Sequence, residues 1–261
     1  MSTSQRSSRV PGWVKYAVIG LLAGLLSGLF GVGGGTVIVP LLVLWCGFNQ
    51  RLAAGTSLAA ILPTAVVGVI SYAVNGSVSW VAALLLAIGA VAGAQIGTWL
   101  LPRLPVKVLQ WGFIAFLAVV VVNLFLVIPS RDAELVIDLG TGIALLAVGV
   151  VTGTLAGLLG VGGGIVVVPV LILLFGASDL VAKGTSLLMM IPTALSGTIG
   201  NVKRQNADLK VAAWIAAGSC ITTVLGAYLA RILDAKVATP LFAVFIVVIA
   251  VQMAMKARKK A

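Results

Sequence analysis

The chain has no histidine, six acidic residues and two cysteines, and charged residues make up only 9% of its 261 positions. Metal hydrolysis and general acid–base catalysis usually draw on His, Asp or Glu, so this scarcity argues against an enzyme. Asp132, Glu134, Asp138, Asp179, Asp208 and Asp234 all fall in or beside expected loops, which leaves no span with an evident proton relay or cation site. Cys46 and Cys220 lie in apolar runs without ligand spacing or a disulfide framework, and packing is their expected role. No catalytic residue, metal site or cofactor is expected.

Hydrocarbon takes the place of charge. Hydrophobic residues make up 61% of the chain, more than a water-soluble domain could cover with polar surface. The expected fold class is all-α, a polytopic helical membrane protein with the lipid bilayer as its solvent. At about 20 residues per span the length allows roughly eight to ten crossings and leaves nothing for a soluble catalytic domain. The net charge of +11 is carried by residues scattered between apolar runs and at both ends, which fits membrane topology better than nucleic-acid binding.

Shifting the chain by 129 residues aligns Gly20–Gly68 with Gly149–Gly197 without a gap, and 25 of the 49 pairs are identical. The matching core reads GLFGVGGGTVIVP at 28–40 and GLLGVGGGIVVVP at 157–169, followed by GTS at 55–57 and 184–186 and PTA at 63–65 and 192–194. A basic start before an apolar run resembles a signal peptide, but that run has a counterpart deep in the chain, so residues 16 onward are expected in the mature protein. The expected organisation is a basic tail (1–15), repeat 1 (16–128), an acidic linker (129–141), repeat 2 (142–256) and a second basic tail (257–261).

Each repeat divides into five apolar pieces: 16–31, 36–47, 54–75, 79–101 and 107–128, then 142–160, 164–176, 183–200, 209–232 and 236–256. The last three of each set are long enough to span. The first two are too short for a hydrocarbon core about 30 Å thick, so each pair is either one broken crossing or a hairpin returning to its own side. Loop charge separates the two. Bases cluster in the N-terminal tail, the 102–107 turn, the 201–210 turn and the C-terminal tail, which are expected to be cytoplasmic. The uncharged 75–79 turn and the acidic linker are expected outside. That assignment requires hairpins and makes the two repeats inverted; the 231–236 turn fits it least well. Eight spans in parallel copies is the competing arrangement, and it places Arg103 and Lys107 outside.

The glycine clusters Gly31–Gly35 and Gly160–Gly164 leave backbone amides uncovered at a helix start, a nest able to hold an anion. The candidate substrate-binding residues are Gly33, Gly34, Gly35, Thr36 and Thr64 in repeat 1, with Gly162, Gly163, Gly164 and Thr193 in repeat 2. Close helix packing through small residues would produce the same clusters. Thr56, Ser57, Thr185 and Ser186 stand where helices are expected to begin, so they cap amides or form a gate. Lys183 replaces Ala54 in the pseudo-symmetry, either as a solvated loop lysine or as an attractor of anions at an outer mouth. Gln95 and Asn123 either line a path or bond a neighbouring helix.

The doubled glycine, GTS and PTA blocks resemble the sulfite exporter TauE/SafE family, over residues 16 to 256. The resemblance implies a multi-pass cytoplasmic-membrane permease for small sulfur-containing anions such as sulfite or sulfonates, with related members handling other organic anions, and the basic tails put both termini in the cytoplasm. It carries the family's glycine-rich blocks onto Gly31–Gly35 and Gly160–Gly164, and its proline blocks onto Pro40, Pro63, Pro169 and Pro192. The expected partners are a small anion and the bilayer; a homo-oligomer is allowed but not indicated. A non-transporting assembly subunit, with glycines serving packing alone, is the rival class.

Overall fold

The computed structural model describes residues 12–100 and 138–259, and between them the helical residues 111, 114, 118, 121 and 122. The described residues form helices and short connections. Repeat 1 contributes α1 (Gly12–Phe30), α2 (Gly35–Trp45), α3 (Gln50–Ala73) and α4 (Trp80–Leu100). Repeat 2 contributes α5 (Leu139–Leu159), α6 (Gly164–Phe175), α7 (Asp179–Lys203), α8 (Leu209–Ile232) and α9 (Ala235–Lys259). The 129-residue shift maps α1–α4 onto α5–α8. Of the expected span 107–128 only those five helical residues are described, and most of the linker falls outside the described residues.

Six helices, α1, α3, α4, α5, α7 and α8, are long and apolar enough to cross a membrane. With 11 and 12 residues, α2 and α6 reach only about 16–18 Å at the helical rise, well short of the hydrocarbon thickness. Large apolar side chains stay exposed along the outer faces, among them Ile70, Leu84, Val151 and Ile221, as expected where lipid is the solvent.

Four helices begin three or four residues earlier than the apolar pattern indicates. One is α1, expected at 16–31 to be too short, which starts at Gly12 and is long enough to span. The pieces expected at 54 and 183 start at Gln50 and Asp179, because Asn49 and Ser178 cap them by accepting hydrogen bonds from Leu52 N (2.8 Å) and Val181 N (3.3 Å). Hydrophobicity reported where the apolar runs begin, whereas the caps set where the helices begin. Similarly, α5 starts before residue 142 because Asp138 caps it, and hydrogen bonds from Thr141 hold the Asp138 carboxyl below the usual carboxylate range.

The repeats interlock rather than sit side by side. Along α1, Gly20, Gly24 and Gly28 lie against the carbonyls of Ile215, Ser219 and Thr223 on α8. The shifted set, Gly149, Gly153 and Gly157 on α5, lies against the carbonyls of Leu86, Ala90 and Ala94 on α4. A Cβ at any of these six would collide with backbone, so the four-residue glycine spacing is what lets the axes approach. In both pairs the contacts advance together along the two chains, so the helices run parallel, and Trp13 meets Trp214 at one shared end (5.9 Å between ring centroids).

The centre is different. There α3 crosses its own counterpart α7, with Gly68 against Leu187 and Gly197 against Leu58. The contact advances on one helix as it recedes on the other, so the two run in opposite directions. These are the two most enclosed spanning candidates, with 61% and 56% of their apolar windows buried. Pro63 and Pro192 fall near the middle of each.

Candidate functional site: two facing glycine breaks

Each short helix begins at a backbone break made by left-handed glycines: Gly31, Gly33 and Gly34 at φ 69, 74 and 74°, and Gly160, Gly162 and Gly163 at φ 71, 79 and 78°. An L side chain rarely adopts that conformation, so three such positions within four residues require glycine. Neither short helix has a side-chain cap: its N-cap residue is Gly34 or Gly163. By helix geometry the amides of Gly35 and Thr36, and of Gly164 and Ile165, have no acceptor within their own helices.

The structure brings the two breaks face to face. A Cβ on Gly35 would stand 3.2 Å from Gly160 O and 3.1 Å from Val161 O; one on Gly164 would stand 2.8 Å from Gly31 O. Between them sit Ile61 and Met190, counterparts under the shift, and a Cβ on Gly33 or Gly162 would run into the Met190 methyl. Nothing in the sequence marks Ile61 or Met190, which read as ordinary apolar positions. Thr64 and Thr193 lie one turn further along α3 and α7, both buried, and donate back to Ala60 O (2.8 Å) and Met189 O (3.0 Å). Contact with an anion requires those hydroxyls to rotate away from their own helices.

Around this shared centre the chemistry is uneven. Thr36, buried at the start of α2, has a hydroxyl with no hydrogen-bond partner among the described residues, and its counterpart is Ile165. Ser186 donates to Gly31 O (3.1 Å), whereas the hydroxyl of its counterpart Ser57 is buried with no partner among the described residues. Tyr72 donates to Gly28 O (2.6 Å) at the end of α1, whereas its counterpart Asn201 turns back to Gly197 O in its own helix (2.8 Å).

Lys183 is neither in a loop nor solvated. It lies in the second turn of α7, 3% exposed, with its ammonium 3.1 Å from the carboxylate of Asp179, itself 4% exposed. Asp179, the first residue of α7, stands beside the 176–178 connection as expected, and it is buried there. Both placements follow from the earlier start of α7. The backbone of Lys183 presses on the first break, where a Cβ on Gly31 would come within 2.6 Å of its Cα; Ala54 takes that place against Gly160.

Nor do the GTS hydroxyls cap their own helices. Thr56 accepts from Asp208 N and Thr185 accepts from Ser79 N, each at 3.0 Å. Each threonine reaches the residue before a long helix of the other repeat, an exchange tying the two copies together at both ends of the crossed pair. Gln95 bonds a neighbouring helix through Ser196 (2.9 Å), and Asn123 lies outside the described residues.

Among the described residues, six helices long and apolar enough to span, set around a doubled, broken core, define a multi-pass helical membrane protein. The chain belongs to the sulfite exporter TauE/SafE family of membrane transporters, whose family model matches residues 1–124 and 145–261. It is 26% identical to the probable membrane transporter protein YunE of Bacillus subtilis, over 92% of this chain and 97% of that one. It is 29% identical to a probable membrane transporter protein of Xylella fastidiosa strain 9a5c (81% and 82%) and 28% identical to one of Haemophilus influenzae (92% and 97%). No solved structure matches.

Proposed function

We propose that this transporter is a permease for small anions, sulfur-containing ones such as sulfite and sulfonates or similar organic anions, held between the two glycine breaks. The observation that carries this reading is the convergence of two uncapped helix starts on one buried point, with the unpartnered Thr36 hydroxyl at one of them. Helix N-termini favour negative charge, and irregular backbone at membrane depth persists where protein or a water-filled path satisfies it. The sulfur-anion class comes from the family's name, and catalysis has no part in this reading.

The transport step is a rocking of one repeat against the other about the crossing of α3 and α7. Their opposite directions support repeats inverted across the membrane, a common transporter architecture with the substrate site at the repeat interface. In this arrangement the protein sits in the cytoplasmic membrane with both termini in the cytoplasm. Reporter tags at residues 77 and 206 are expected on opposite sides; tags on the same side would refute the inversion.

The functional test is flux of labelled sulfite and small sulfonates in proteoliposomes, with and without an imposed potential or pH gradient, beside Gly34→Val and Gly163→Val. Flux lost in variants that still purify as folded protein is the expected result. Variants that fold and transport normally would overturn the site. Variants that merely lower folded yield, without a separate loss of flux, would favour the assembly-subunit reading.

A further inference from the structure

Beside the second break a narrow cleft, with about 30 Å³ of room for water, opens between α4, α5 and α7. Along α7 it is lined by Thr193, Ser196, Gly197, Gly200 and Arg204, positions that recur at helical spacing and so form one stripe on one face. From Thr193 to Arg204 the stripe rises about 16 Å at 1.5 Å per residue, from the middle of the helix to its end. The opposite wall comes from Ala94 and Gln95 on α4 and Ala156 and Gly157 on α5. Small residues leave the space: a Cβ on Gly200 would meet nothing within 4 Å.

The polar atoms of this cleft are arranged in sequence along it. Arg204 lines it at the helix end, the amide of Gln95 donates to the Ser196 hydroxyl partway along, and Thr193 lines it nearest the middle of α7. From there the second break is adjacent, since a Cβ on Gly163 would stand 3.6 Å from that of Ala156. None of the three outer polar groups is repeated under the 129-residue shift: Val224, Val67 and Asn75 are the counterparts of Gln95, Ser196 and Arg204.

We infer that this cleft is a one-sided, water-filled access path for a compact oxyanion, and this rests on the permease reading. Arg204 gathers the anion by charge, Gln95 and Ser196 offer it neutral donors, and Thr193 hands it to the second break. The path opens on the side of the membrane that carries the 204–208 turn. An Arg lining a narrow cleft concentrates anions because field lines focus between low-dielectric walls.

The test is thiol labelling of Ser196→Cys in a Cys46→Ala/Cys220→Ala background, in sealed vesicles of both orientations. Matched membrane-impermeant methanethiosulfonates, one carrying a sulfonate and one a trimethylammonium, are compared. Labelling is expected only from the side of the 204–208 turn and faster with the sulfonate. Adding Arg204→Gln should slow the sulfonate reagent by about an order of magnitude while sparing the cationic one, and propanesulfonate should protect the thiol. A thiol that reacts only with a lipid-soluble maleimide, or equally with both charges regardless of Arg204, would overturn the inference. Labelling needs no transport, so the two readings fail separately. Polar, charge-selective labelling without anion flux would leave the cleft and sink the permease, whereas flux alongside an unreactive thiol in the Ser196→Cys variant would do the reverse.

Discussion

The two glycine breaks share a backbone and differ in almost everything that touches it. The first is pinned: Tyr72 holds Gly28 O, Ser186 holds Gly31 O, and a buried Lys183–Asp179 pair lies over it. The second has Asn201, Ser57 and Ala54 in the corresponding places, and none of them bonds the break through its side chain in the hydrogen bonds that define these contacts. A duplicated unit thus keeps its fold in both copies while its contacts diverge, with one break anchored and the other bordering a cleft.

The sharpest way to break this comparison is Lys183→Met, which takes the ammonium away from the buried Asp179 carboxylate. Removing one partner of a buried pair typically costs about 3–5 kcal/mol. A collapse in detergent-solubilised thermal stability is expected, with much of it recovered in Lys183→Met/Asp179→Leu. No recovery in the double variant would show that the pair matters beyond its charge balance.

Next in size is the contrast between Gly34→Ala and Gly163→Ala. Both force a left-handed alanine, at about 1–2 kcal/mol. The new methyl at 34 also stands 2.9 Å from Ala23 O, whereas at 163 nothing lies closer than 3.5 Å. Thermal unfolding should therefore fall further for Gly34→Ala; equal shifts would mean that the first break relaxes as easily as the second.

Thr36→Val separates chemistry from packing, because the two side chains have nearly the same shape. Folded yield should be unchanged while KM for the transported anion rises several-fold, on the order of one lost hydrogen bond of about 1 kcal/mol. The reciprocal Ile165→Thr should leave transport near its starting level if the anion sits closer to the first break, and a gain in affinity would place it between them.

The smallest effect compares the two parallel helix pairs. On α8, Ser219 and Thr223 donate to Gly20 O (3.0 Å) and Gly24 O (3.1 Å) of α1, whereas α4 presents Ala90 and Ala94 to α5. Ser219→Ala should lower stability by only about 0.6 kcal/mol, the average for interhelical hydrogen bonds in membrane proteins.

How much of this was legible beforehand depended on the range of each signal. The short pieces at 36–47 and 164–176 were readable because glycines and prolines punctuate the chain locally, and the structure ends those helices at Trp45 and Phe175. Lys183 was misplaced because a lysine beside an apolar run reads as the edge of a loop. Only the Ser178 cap and the Asp179 carboxylate, four residues upstream, make it a buried helical residue. Thr56 and Thr185 looked like caps of their own helices and instead accept from the amides of Asp208 and Ser79, 152 and 106 positions away, a distance no local pattern encodes.

The sequence by itself determined the solvent, the helical class, the duplication and the two places where the backbone had to break, since hydropathy and glycine content act within a turn or two of the chain. Tertiary structure alone decided that the breaks face each other across Ile61 and Met190, that α3 and α7 cross in opposite directions, and that the copies differ in what holds them. Those features arise from contacts between residues more than a hundred positions apart, where close approach of glycine-lined helices selects the partners.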